Sequence, residues 1–120
     1  MGKTVLIVED DDLNLKLFDE VLTLEGYRTR TARTGSDALD QARRERPDLV
    51  LMDMDLGGSS GLDAVRRMRD EASLDDVPVV AVTAHAMRGD EGRFRDGGCA
   101  GYIAKPVTMR GFLDEVRRFA

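Results

Sequence analysis

Asp53 closes a run of four apolar residues, Leu49-Val50-Leu51-Met52, and a second carboxylate follows at Asp55. A carboxylate ending a strand that is buried on both faces is held in place and partly desolvated, which suits it to act as a nucleophile toward a phosphoryl group. Four other residues can complete that chemistry: Glu9 and Asp10 in Glu9-Asp10-Asp11-Asp12, Thr83 after Val79-Val80-Ala81-Val82, and Lys105 before Pro106. Gathered in one place, Glu9, Asp10 and Asp53 carry three like charges, and two such charges about 4 Å apart repel by roughly 4 kcal/mol at an effective dielectric near 20. Lys105 offsets one charge. The remaining deficit of two matches a divalent cation, and an all-oxygen donor set with room for water and a phosphoryl oxygen favours Mg²⁺ over soft metals. With the Thr83 hydroxyl as a further donor, the set supplies the positioning and charge stabilisation that phosphoryl transfer requires.

These residues meet only if the chain folds to bring them together. Apolar strands alternate with amphipathic helices along its length. Thr4 to Glu9 reads as a first strand, Asp12 to about Glu25 as a helix capped by Gly26, and Tyr27 to Ala32 as a short second strand. Thr34 or Ser36 caps a second helix with Ala38, Leu39 and Ala42 on its apolar side, ending before Pro47. Asp48 to Asp53 is the third strand. Leu62, Val65 and Met68 mark a third helix, and Val79 to Thr83, after Pro78, a β-branched fourth strand. A fourth helix is expected around Met87 to Asp96, weakened by Gly89 and Gly92 and ended by Gly97-Gly98; Ala100 to Ala104 is the fifth strand, and Phe112, Val116 and Phe119 lie on the closing helix.

Five strands alternating with five helices predict one α/β domain over residues 1–120, a five-stranded parallel sheet with helices on both faces. In such sheets ligands bind beyond the carboxyl ends of the strands, where the strand order reverses. Glu9, Asp10, Asp53, Thr83 and Lys105 all fall at such ends. Under the flavodoxin-like order 2-1-3-4-5, strands one and three are neighbours, so Asp10 and Asp53 meet across the crevice.

Composition narrows the function classes. At 120 residues and 42% hydrophobic content the chain can bury a core without disulfide or metal staples. The single cysteine, Cys99, closes no intramolecular disulfide and reads as a small buried hydrophobe, and the setting is expected to be cytoplasmic. No apolar run approaches the roughly 20 residues that span a bilayer, so no membrane association is expected. A net charge of −5 and a pI near 4.9 argue against direct DNA binding. The arginine pairs at 43–44, 66–67 and 117–118 are interrupted by acids and read as solvated helix faces.

Taken together, Val8-Glu9-Asp10-Asp11, Met52-Asp53-Met54-Asp55, Val82-Thr83-Ala84 and Lys105-Pro106 resemble the receiver domain of two-component response regulators, and the resemblance covers essentially the whole chain. Asn14, Thr83-Ala84-His85-Ala86-Met87 and Gly97-Gly98-Cys99 are similar to single-domain cell-cycle regulators of the DivK type and to receivers attached to hybrid histidine kinases. The resemblance implies a phosphoacceptor signalling protein whose Asp53 takes a phosphoryl group from a partner phosphohistidine in a Mg²⁺-dependent step, and which catalyses only its own phosphorylation and dephosphorylation. It implies that Asp10 and Asp53 are direct metal ligands, Glu9 a water-mediated one, and Asp55 a ligand through its backbone carbonyl. Lys105 would pair with the phosphoryl group, with a cis bond to Pro106. Thr83 and Tyr102 would be the switch pair that alters the face formed by helix four, strand five and helix five. The resemblance departs at Gly57, where the family usually has proline; Gly57-Gly58 predicts a more mobile loop.

Three further expectations concern partners and lifetime. On the first helix, Leu13, Leu15, Leu17, Phe18, Val21, Leu22 and Leu24 span an apolar arc of roughly 200°, wider than the ~100° a core-facing stripe needs. Leu13 and Leu15, nearest the pocket, are expected with Pro106 to dock a histidine kinase or histidine phosphotransfer protein; output passes to a downstream protein target. Asp55 and His85 are expected to modulate how water reaches the acyl phosphate. Rival readings are a receiver that binds partners without phosphorylation, a small haloacid-dehalogenase-like phosphatase built on Asp53-Met54-Asp55, and a flavin carrier. In that phosphatase family the pair follows the first strand, and the acidic run after strand one repels a flavin phosphate.

Overall fold

The computed structural model describes residues 2–56, 61–84 and 90–120. The elements follow in strict alternation: β1 (Thr4–Val8), α1 (Asp12–Leu24), β2 (Arg28–Ala32), α2 (Gly35–Arg44), β3 (Leu49–Asp53), α3 (Gly61–Arg69), β4 (Val79–Thr83), α4 (Asp90–Asp96), β5 (Gly101–Ala104) and α5 (Met109–Phe119). The sheet has order β2-β1-β3-β4-β5 with every pair parallel, as the sequence predicts.

The central strands are buried at every position, and the period-two alternation of a strand divides their side chains between two cores. Val5, Ile7, Leu49, Leu51, Val80 and Val82 point to the side covered by α1 and α5. There Phe18 stacks on Phe112 with ring centroids 4.8 Å apart, joining the two helices. Leu6, Val8, Val50, Met52, Val79 and Ala81 point to the opposite side, where α2, α3 and Phe94 of α4 cover them.

Local signals set the helix ends. The Thr34 hydroxyl, not that of Ser36, accepts the Asp37 N–H at 3.0 Å and caps α2; Thr108 accepts the Gly111 N–H at 3.1 Å and caps α5. Gly26 (φ 92°) and Gly98 (φ 110°) take the left-handed conformation that closes α1 and α4. Behind each, the helix ends in the same bonding pattern, with Tyr27 N–H donating to Leu22 O and Cys99 N–H to Phe94 O, both at 3.0 Å. The expected start of the fourth helix at Met87 lies outside the described residues.

One organising residue leaves no trace in local pattern. The guanidinium of Arg69 donates to the carbonyls of Gly98 (3.0 Å), Leu74 (3.1 Å), Asp75 (2.9 Å) and Val77 (2.7 Å). It thereby ties the α3–β4 connection, which buries Leu74 and Val77, to the turn before β5. No described helix is long and apolar enough to cross a membrane.

Candidate functional site

The register of the sheet assembles the site. Val8 pairs with Met52, so Glu9 and Asp53, the next residues on adjacent parallel strands, emerge side by side. Thr83 pairs with Ala104, which sets Lys105 beyond the same edge, and the Lys105 N–H donates to Thr83 O at 2.8 Å. The Lys105–Pro106 peptide is cis. Glu9, Asp10 and Asp53 each offer a carboxylate oxygen, and these oxygens lie within 4.8 Å of one another. Residues distant in sequence therefore converge as expected.

The acids differ sharply in environment. Asp10 is exposed, whereas Glu9 and Asp53 are each only 2% exposed. Asp53 Oδ1 accepts two donors: Lys105 Nζ at 3.1 Å and the Asp55 backbone N–H at 2.8 Å. Glu9 Oε2 accepts the Asp11 N–H at 3.2 Å, while Oε1 is buried with no hydrogen-bond partner among the described residues. Burial, with the adjoining Asp53 carboxylate adding to it, pushes the Glu9 carboxyl up to about 8; the Asp11 N–H and Lys105 only partly offset this. Burial alone would lower the Lys105 ammonium, but the hydrogen bond and charge of Asp53, reinforced by Glu9 and Asp55, raise it above its ordinary value.

The donor set fits a hard divalent cation. It is all oxygen, it carries more negative charge than Lys105 balances, and it includes a buried carboxylate oxygen lacking a donor. The raised Glu9 pKa comes first from burial and then from the adjoining Asp53, and a cation held here would offset both.

Other expected residues are placed as follows. The Asp55 carboxylate accepts the Ala84 N–H at 3.1 Å through Oδ2 and lies 3.9 Å from Lys105 Nζ. Thr83 is fully buried at the end of β4. Tyr102 is half-buried, packs against the core on the α2–α3–α4 side, and shares a surface groove with Pro106 and Phe112. Cys99 is buried, and that burial pushes its thiol up to about 11 despite the opposing charge of Arg69, as suits a small core side chain. His85 and Gly57 lie outside the described residues.

One expectation is corrected. Leu15 is not an exposed docking residue: it is 9% exposed and packs in the core with Phe18 and Leu22, three and seven positions on. Leu13 is 74% exposed, and Leu17, four positions on along the same face, is 42% exposed. Leu17 lines a groove with Asn14, Phe18, Lys105, Pro106 and Val107.

Two residues, Ala84 and Gly61, hold parts in the site that the sequence reading did not assign, although Ala84 stands in a motif of the resemblance and Gly61 where the family has a glycine. The Ala84 N–H is a backbone group with no signature in residue type. Gly61, the first residue of α3, packs so closely behind the site that a β-carbon there would stand 2.3 Å from the Asp53 carbonyl oxygen. Its place after a glycine- and serine-rich loop was the available signal.

Comparison with known proteins agrees with this geometry. The family model for the response regulator receiver domain matches residues 5–117. The polar-differentiation response regulator DivK of Brucella anthropi is 47% identical over 119 residues, spanning 99% of this chain and 97% of that regulator; DivK of Brucella ovis is 46% identical over the same span. Among solved structures, the receiver domain of sensor histidine kinase PA1611 from Pseudomonas aeruginosa superposes with a TM-score of 0.90 at 32% identity, covering 99% of this chain and 98% of that one, and holds a magnesium ion in its active-site cleft. The chemotaxis protein CheY4 of Vibrio cholerae, at 22% identity and a TM-score of 0.94 over both full chains, shares the fold. With a matched family model over nearly its whole length and the ends of β1, β3, β4 and β5 converging on an acidic pocket, the chain belongs to the response regulator receiver domains, the phosphoacceptor signalling modules of two-component systems.

Proposed function

We propose that Asp53 is the phosphoacceptor and that the pocket of Glu9, Asp10, Asp53, Thr83 and Lys105 performs the transfer. The observation that carries this is the state of Asp53: buried at a strand end, its Oδ1 fixed by Lys105 and the Asp55 N–H, beside two further carboxylates. A carboxylate oxygen of Asp53 attacks phosphorus, the P–N bond of a partner phosphohistidine breaks with its electron pair passing to the imidazole, and an acyl phosphate remains on Asp53. Hydrolysis later returns the carboxylate and inorganic phosphate, so the protein catalyses only its own phosphorylation and dephosphorylation.

Asp10 and Asp53 would hold the metal directly in this reading, with Glu9 contributing through water and Asp55 through its backbone carbonyl. Bound there, Mg²⁺ would neutralise charge on the phosphoryl oxygens. Lys105 orients and neutralises the phosphoryl group from the other side, and the buried Thr83 hydroxyl donates to it. Thr83 and Tyr102 form the switch pair, and repacking of the α4–β5–α5 face shifts the population toward a state that binds a downstream protein target. Leu13, Leu17 and Pro106 offer the docking surface for a histidine kinase or phosphotransfer protein. The protein works in the cytoplasm in this reading, without binding DNA.

Mass spectrometry after incubation with Mg²⁺ and acetyl phosphate tests the assignment. One added phosphoryl group is expected, lost in Asp53→Asn and on chelation of Mg²⁺; no adduct on the native chain refutes it.

A further inference from the structure

Asp55 makes two contacts that the proposed chemistry does not use. Its carboxylate accepts the backbone N–H of Ala84, the residue directly after Thr83, and stands 3.9 Å from the Lys105 ammonium. Its own N–H meanwhile donates to Asp53 Oδ1. The side chain thus bridges the segment after β3 to the segment after β4, and it does so as an anion placed among cationic and N–H donors beside the phosphoacceptor. Because the group is tethered two residues from Asp53, it is a resident rather than a diffusing anion.

From this we infer that the Asp55 carboxylate is a built-in competitor of the phosphoryl group, a latch that holds Ala84 while Asp53 is unmodified and is expelled when Asp53 is phosphorylated. The inference rests on the reading of Asp53 as phosphoacceptor. A phosphoryl group on Asp53 brings close to two negative charges and three acceptor oxygens into the reach of Lys105 and the neighbouring N–H groups. Those are the donors that Asp55 engages, and two anions crowded onto one set of donors repel each other. Expulsion of Asp55 releases the Ala84 N–H just after β4. Phosphorylation is thereby coupled to Ala84 through a side chain distinct from the Thr83 and Tyr102 pair. Asp55 acts through Ala84 and Lys105, so it is a positioning residue.

The coupling is reciprocal, because a group that phosphorylation expels must in turn oppose phosphorylation. Asp55→Asn keeps an acceptor oxygen and removes the charge, whereas Asp55→Ala removes both. Beryllofluoride, a phosphoryl analogue, is titrated into the wild type and both variants at Mg²⁺ saturating for each, with binding followed by ¹⁵N NMR. Binding about tenfold or more tighter in both variants is expected; affinity equal to or weaker than wild type in either overturns the latch. Without beryllofluoride, the Ala84 amide is expected to exchange with solvent roughly tenfold or more faster in Asp55→Ala, with protection restored in Asp55→Asn; unchanged exchange in Asp55→Ala also overturns it. Acetyl phosphate labelling of the wild type separates the two failures. No adduct removes the phosphoacceptor reading and the latch together, whereas a normal adduct with unaltered beryllofluoride affinity removes the latch alone.

Discussion

The buried Glu9 carboxyl makes the metal-free protein lose stability as pH rises, and the size of the loss follows from its environment. In the unfolded chain Glu9 titrates at its ordinary value of 4.5, while in the fold it is pushed up to about 8. Below 4.5 both states hold the proton and Glu9 contributes no pH dependence. Between the two values the folded state keeps a proton that the unfolded state has released, so stability falls as pH rises through the window. Almost every folded molecule is protonated at pH 6 and about half are at pH 8, which corresponds to a loss of about 2 kcal/mol across that interval. Urea denaturation at pH 6, 7 and 8 with a chelator present measures it. Glu9→Gln mimics the protonated form and is expected to flatten the profile, and the difference between the two slopes isolates Glu9 from His85 and the N-terminus. Because a cation must displace this proton, Mg²⁺ affinity of the wild type is expected to rise by close to tenfold per pH unit over the same range, approaching a plateau near pH 8. Parallel stability slopes for wild type and Glu9→Gln would falsify the reasoning.

Two further substitutions probe packing and docking. Gly61→Ala places a β-carbon against the Asp53 carbonyl and is expected to cost about 1–3 kcal/mol in urea denaturation and to weaken Mg²⁺ binding; a variant matching wild type in both shows that α3 can move away at no cost. Leu17→Glu is expected to keep acetyl phosphate labelling while losing transfer from the kinase or phosphotransfer partner, whereas Leu15→Ala is expected to destabilise the fold by about 2–5 kcal/mol; kinase-dependent transfer surviving in Leu17→Glu removes the docking assignment.

The strand ends were legible in the sequence for a physical reason. A parallel strand covered on both faces is apolar along its length, so the polar residue that closes each such run, at Glu9, Asp53 and Thr83, lies at the carboxyl edge where the crevice forms. The same uniformity hides which face each side chain takes: nothing in Val5-Leu6-Ile7-Val8 distinguishes the α1 side from the α2 side, since both are core. The first helix fails differently. An arc of leucines wider than the core needs leaves its centre undetermined, and that centre was fixed by Phe112, a residue of the last helix that stacks on Phe18 and draws Leu15 inward with it. Charge followed the same division. Three carboxylates against one lysine could be counted from the sequence, but not which acid would yield. Burial decides it, leaving Asp10 in solvent and raising Glu9, and burial belongs to the assembled sheet. Backbone donors such as the Ala84 N–H lie furthest from view, since every residue except proline carries one and only the fold gives it a direction. In this chain such a group, the Ala84 N–H, is what lets Asp55 tie one strand end to the next.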